Sequence, residues 1–188
     1  MNDSTFFYTL REEISSDNEA IHQIVLSAFG NAEGEEIVQL LIQLQQDETA
    51  HPLLSLVATK NDQILGHILF TVAQIVPMTA SVRAMLLAPL AVHPTWQNRG
   101  IGGMLIKTGL TLLSQQGVDV VFVLGHPNYY QKHGFVPAEE NGFTAPHPIL
   151  PENAGAWMVQ PLRTGVIGQV RGEVQCAEAI SDPKYWQE

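Results

Sequence analysis

The chain has 188 residues, enough to bury one core and form one domain, and its 45% hydrophobic and 15% charged content excludes a disordered polymer. Nine Lys and Arg against 19 Asp and Glu give a formal net charge of −10, which disfavours a nucleic-acid-binding surface and is compatible with attracting a cationic amine. The single cysteine, Cys176, excludes an internal disulfide and a multi-thiolate metal site and reads as a buried small side chain.

In chain order, Phe6 to Arg11 reads as a first strand. Ser16-x-x-Glu19 has the form of a capping box. It opens a helix with Ile21, Ile24, Val25 and Ala28 on one stripe and Gly30 as terminator. Ile37, Leu40, Leu41 and Leu44 mark a second helix by their i, i+3, i+4, i+7 spacing. Leu53 to Lys60 and Ile64 to Val76 form a hairpin about the turn Asn61-Asp62-Gln63. Arg83 to Val92 is a fourth strand, Met104 to Gln116 a third helix, and Val118 to Leu124 a fifth strand. Pro127 to His133 fits a short helix, with proline in its first turn and Gly134 as a left-handed cap. Pro137 to Gly155 is proline-rich and reads as a long loop, whose stretch from Pro137 to Pro151 is expected to help shape the acceptor side of a site. Ala156 to Leu162 and Gly172 to Ile180 read as late strands. Met1 to Ser4 carry no basic leader and no apolar run suffices to span a membrane, so the expected location is the cytoplasm, with no membrane partner.

The most informative stretch is Ala91-Val92-His93-Pro94-Thr95-Trp96-Gln97-Asn98-Arg99-Gly100-Ile101-Gly102-Gly103, a strand end, a polar turn and a glycine-rich helix entry. The first N–H groups of a helix lack intrahelical partners and the helix dipole is positive there, so this turn suits an anion, a pyrophosphate above all. Arg99 adds a charged, forked donor. A Walker loop is excluded because Met104 and Leu105, not Lys and Ser/Thr, follow the glycines. A dinucleotide fingerprint is excluded because Leu105 stands where its third glycine belongs.

What remains is Gln97-x-x-Gly100-x-Gly102, which resembles the acetyl-CoA-binding motif of the GNAT N-acetyltransferase superfamily. A second motif, Tyr129-Tyr130-x-x-x-Gly134-Phe135, resembles that superfamily's other signature, in the expected order and one helix and one strand later. The likeness covers residues 5 to 136 and is weak beyond Pro137. It implies an α/β fold with a mixed, mostly antiparallel central sheet, splayed fourth and fifth strands, and flanking helices. It also implies an acetyl-CoA-dependent N-acetyltransferase that uses no metal, with direct attack by a primary amine in a ternary complex. The acceptor is a small molecule or a peptide, and a homodimer is compatible with the sequence without being fixed by it.

The resemblance assigns cofactor contacts to Leu90, Ala91 and Val92 on the strand, to Gln97, Asn98, Arg99, Gly100, Ile101, Gly102 and Gly103 at the helix entry, and to Tyr130. Pro89 in the fourth strand removes a ladder donor, which fits a bulge where the strands part. Tyr130 matches the family tyrosine that protonates the leaving thiolate, since a phenol of pKa about 10 can donate to a thiol of pKa about 8.5; a hydrogen bond to the sulfur without proton transfer is the other reading. Tyr129 reads as packing. Many relatives use a carboxylate on the fourth strand as base, yet Arg83 to Pro94 contains no Asp or Glu. His126 is the candidate base, with His67 a second candidate facing the acceptor, while His93 braces the turn. Glu33, Glu35 and Glu36 are placed to meet a cationic acceptor or, more simply, to favour the start of the second helix. The missing carboxylate keeps open a catalytically silent acyl-CoA-binding or regulatory module.

Overall fold

The computed structural model describes residues 7–77 and 82–186. Phe6 of the expected first strand and the Met1 to Ser4 leader reading lie outside them. Strand β1 spans Thr9–Glu12, and helices α1 and α2 span Asn18–Phe29 and Asn31–Gln46. Strands β2 (Leu54–Lys60), β3 (Gln63–Val76) and β4 (Ala84–Val92) follow, then α3 (Ile101–Gln115), β5 (Val120–Leu124) and α4 (Pro127–Tyr130). Short strands β6 (Val136–Pro137) and β7 (Phe143–Thr144) precede β8 (Trp157–Pro161) and β9 (Gly172–Cys176).

The strands form one open sheet in the order β1-β2-β3-β4-β5-β8-β6, with β9 on β3 and β7 on β9. Only β4–β5 and β7–β9 are parallel among the described pairs. The β2–β3 hairpin turns on Asn61 and Asp62, both with positive φ (49° and 62°), the primed geometry that matches strand twist.

The sheet separates two apolar layers. On one face Ile21, Ile24 and Val25 of α1 and Leu40, Leu41 and Leu44 of α2 pack with Val57, Leu69, Leu86 and Phe122. On the other, Ile101, Leu105, Ile106 and Leu113 of α3 cover Leu56, Ile68, Phe70, Leu87 and Val121.

The expected capping box does not form. A 3-10 turn, Ser15–Asp17, precedes α1, and the Asp17 carboxylate accepts from the Ile14 N–H at 2.9 Å and pairs with Arg11 at 2.6 Å. That ion pair fixes the entry to α1 in place of Ser16 and Glu19. The last expected strand stops at Cys176, because residues 178–180 turn as a 3-10 helix. A second 3-10 turn, Pro183–Trp186, follows, and the first is strapped to the residues just after α2: Asp47 accepts from the Ala179 N–H at 2.8 Å and the Thr49 hydroxyl from the Glu178 N–H at 2.9 Å. Trp186 anchors this segment, donating to the Ile180 carbonyl at 2.8 Å and packing edge-on to Trp157 at 5.6 Å. Cys176 packs at the edge of this layer, where burial pushes its thiol up to about 12.

Candidate functional site

The site begins as a break in the sheet. On β3, Ile68 and Phe70 pair with Leu90 and Leu87, so three residue steps on β4 face two on β3. The extra residue falls at Ala88–Pro89, the bulge that proline invites. On the other side, β4 pairs with β5 only from Ala84 to Leu87, opposite Val120 to Val123. Beyond Leu87 the two strands part, and β5 continues with Leu124 against Trp157 of β8. Ala88 to Val92 thus have no ladder to β5, and their backbone groups on that side look into a cleft of about 950 Å³.

The start of α3 closes one end of this cleft. Gly100 caps the helix at φ 82°, a conformation that costs a side-chain-bearing residue but not glycine. Its carbonyl accepts from Met104 N–H at 3.0 Å, leaving the N–H groups of Ile101, Gly102 and Gly103 in the unpaired first turn. The preceding loop is internally braced. The His93 imidazole accepts from the Thr95 N–H at 3.3 Å, the bracing role expected of it, and the Gln97 amide donates to the Val92 carbonyl at 3.0 Å. Arg99 lies with its guanidinium over the Trp96 ring at 4.8 Å, and Lys60 sits over the same ring at 5.1 Å.

Leu90, Val92, Gln97, Asn98, Gly100, Ile101, Gly102, Gly103, His126 and Tyr130 all line the cleft. Arg99 and Ala91 are not in that lining: the Arg99 guanidinium lies over Trp96, and the Ala91 side chain is 1% exposed in the layer beneath α1 and α2, while the contact expected of Ala91 is one of its backbone. Tyr130 is 9% exposed, its ring lying on Gly125 and edge-on to Tyr129 and Phe135 at 5.2 and 5.6 Å. His126 is exposed at the cleft wall, and its carbonyl receives the Tyr129 and Tyr130 N–H groups at 2.9 and 3.2 Å. Tyr129, read as packing, also borders the cleft, and burial raises its phenol above the ordinary value.

His67 does not face this space. It is 1% exposed on the α1–α2 side of the sheet, with Nε2 2.9 Å from the Ser55 hydroxyl and 3.4 Å from Glu13, and it lines a separate cavity of about 250 Å³. Burial pushes the Glu13 carboxyl up, but hydrogen bonds with His67 and Ser55 outweigh it and hold the group below the usual carboxylate range.

The far wall of the cleft combines α1, α2 and the chain's last described turns. Phe29, Glu33, Glu36, Ile37, Tyr185 and Trp186 line it; Glu35 does not. The proline-rich stretch from Pro137 to Pro151 is absent from the lining, correcting the expectation that it shapes the substrate side; Ile180 and the 184–186 turn take that place. The only sequence signal for this segment is the aromatic pair Tyr185-Trp186. Among the described residues no group of three or more His, Cys, Asp or Glu side chains is suited to a metal ion.

Residues 52–137 match the family model for an acetyltransferase (GNAT) domain. The chain is 40% identical over 172 residues to the uncharacterized N-acetyltransferase YjhQ of Escherichia coli K12, covering 91% of this chain and 93% of that one. The chain belongs to the GNAT family of acetyltransferases. Its similarity is not confined to the two motifs, because 172 matched residues necessarily extend past Pro137. The crystal structure of the E. coli GNAT acetyltransferase YhbS in complex with CoA superimposes with a TM-score of 0.83 at 25% identity, covering 96% of this chain and 95% of that one. A GNAT acetyltransferase from Brucella melitensis in complex with acetyl-CoA gives 0.71 at 27% identity, with 93% and 98% covered. No described helix of this acetyltransferase is long and apolar enough to cross a membrane.

Proposed function

We propose that the chain, as a single domain acting in the cytoplasm, transfers acetyl from acetyl-CoA directly to a primary amine of a small molecule or peptide within a ternary complex. The observation that carries this reading is the joining of two features in one cleft: the unpaired edge of β4 beyond Leu87 and the first turn of α3. The first offers amides and carbonyls to an extended, amide-bearing arm, and the second offers unpaired N–H groups and a positive helix end to a diphosphate. The CoA and acetyl-CoA complexes of the YhbS and Brucella relatives support the same ligand here. Acetyl-CoA would supply the activated thioester.

In this reading the N–H groups from Asn98 to Gly103 hold the diphosphate, and Gln97 keeps the loop on Val92. A backbone N–H at Leu90 or Ala91 meets the carbonyl oxygen as its charge grows, where a preorganised donor is worth most. His126 takes the proton of the attacking amine and Tyr130 donates to the departing sulfur. Holding both substrates in one cleft supplies much of the rate without a covalent enzyme intermediate.

Purified protein given acetyl-CoA and a panel of primary amines should release free thiol, and Tyr130→Phe should slow that release. The lack of any carboxylate on β4, Ala84–Val92, favours one second reading, a silent CoA-binding module. Tight CoA binding with no thiol release across the panel would decide for it.

A further inference from the structure

The glycines at the start of α3 do more than bare the backbone. An ideal Cβ on Gly102 would lie 2.3 Å from the Tyr129 hydroxyl, and one on Gly103 would lie 2.8 Å from Cε1 and 3.6 Å from Nε2 of His133. Both side chains border the cleft, with their rings edge-on at 5.2 Å. Helix α4 and the turn Gln131–His133 that follows it therefore lay a phenol and an imidazole, respectively, against the same first turn whose N–H groups are unpaired.

We infer that Tyr129 and His133 form a second wall of the anion seat, and that His133 binds the ligand's diphosphate as an imidazolium, so that binding takes up a proton. This inference rests on the CoA reading above and adds to it residues and a pH dependence. A neutral imidazole against a diphosphate offers one N–H; the protonated ring adds a full charge and a charge-assisted hydrogen bond. Before binding, burial chiefly, and the neighbouring Lys132 second, hold His133 below the ordinary histidine value. An adjacent diphosphate acts in the opposite direction. The other titratable groups on the surrounding elements are His126, Tyr129, Tyr130 and Lys132 on its own side, Lys107 on α3 and Arg99 ahead of it; β8, which reaches Gly134 through Gln160, carries none. The sign follows: the bound state holds more protons than the free state, so affinity rises as pH falls through the bound-state value and levels off below the free-state value.

The test is calorimetric titration of the intact protein with dephospho-CoA, whose diphosphate does not titrate near neutrality, at pH 6 and pH 8 in buffers of different ionisation enthalpy. The CoA 3′-phosphate has a pKa of about 6 and would add its own proton, which is why the dephospho form is the probe. Wild type should bind about tenfold more tightly at pH 6 and show net proton uptake. His133→Asn should flatten the profile to within about twofold and abolish the uptake, and Tyr129→Phe should weaken binding at both pH values equally. Thermal unfolding of both variants reports whether they fold. A flat wild-type profile with binding intact, or uptake that survives in His133→Asn, overturns the inference alone. Failure of wild type to bind either CoA or dephospho-CoA at any pH overturns the CoA reading and this inference with it.

Discussion

Gly125→Ala offers a way to displace Tyr130 without altering it. The position has no positive φ, so alanine is conformationally acceptable. The new Cβ would fall 2.5 Å from Tyr130 Cε2 and 3.1 Å from Cδ2. Carbon atoms pack best at about 3.5–4.0 Å, so the ring must retreat by about 1 Å. It has little room to do so, being 9% exposed and held by Phe135 and Tyr129. Overpacking of this kind costs about 1–3 kcal/mol of stability. A misplacement of about 1 Å at a reacting group costs up to about 100-fold in rate, equivalent to about 2.7 kcal/mol of barrier. The expected result is a fall in kcat for thiol release of about that size, with a lowered Tm but a cooperative unfolding transition. Tyr130→Phe, which keeps the ring in place and removes only the hydroxyl, is the matched control. Wild-type kcat in Gly125→Ala, beside a slow Tyr130→Phe, would refute the view that the ring's position on Gly125 sets the chemistry.

Three further outcomes follow from the packing and the charges. Gly109→Ala places a Cβ 2.4 Å from Phe70 Cε2 beneath α3; overpacking of about 1–3 kcal/mol against a helix-propensity gain of about 1 kcal/mol predicts a lowered urea midpoint, and an unchanged midpoint would contradict that geometry. Asp119 is 8% exposed and accepts from the Arg83 N–H at 2.8 Å while pairing with Arg163, so Asp119→Ala should cost about 1–3 kcal/mol in the same assay. Asp17 is held below the ordinary carboxylate range, chiefly by the hydrogen bond from Arg11; its depressed value means stability present above the unfolded carboxylate pKa and lost as pH falls through the folded one, so Asp17→Asn should reduce the acid-side loss of Tm.

Much of the architecture was legible because local chemistry and global fold agree. Asn61-Asp62 announces its turn and Pro89 its bulge, whereas α3 starts at Ile101, ahead of the expected Met104, because Gly100 takes the left-handed cap. Sequence reasoning failed where a distant partner decided. Ser16 and Glu19 look like a cap, but Arg11 on β1 draws in Asp17 and the helix starts elsewhere. His67 looks available to an acceptor, but it is turned to Ser55 and Glu13 in a cavity separate from the cleft. The 180–186 part of the far wall was missed because the segment leading to it is held by Asp47 and Thr49, contacts between residues about 130 positions apart. Gly102 and Gly103 were legible as glycines, but Tyr129 and His133, the side chains they admit, were not.

The most direct test is a crystal structure of the protein grown with CoA. The account predicts the diphosphate on the N–H groups of Ile101, Gly102 and Gly103, with the pantetheine arm along β4 beyond Leu87 and the sulfur beside Tyr130. A diphosphate bound away from the start of α3, or an arm that bypasses the gap between β4 and β5, would contradict it.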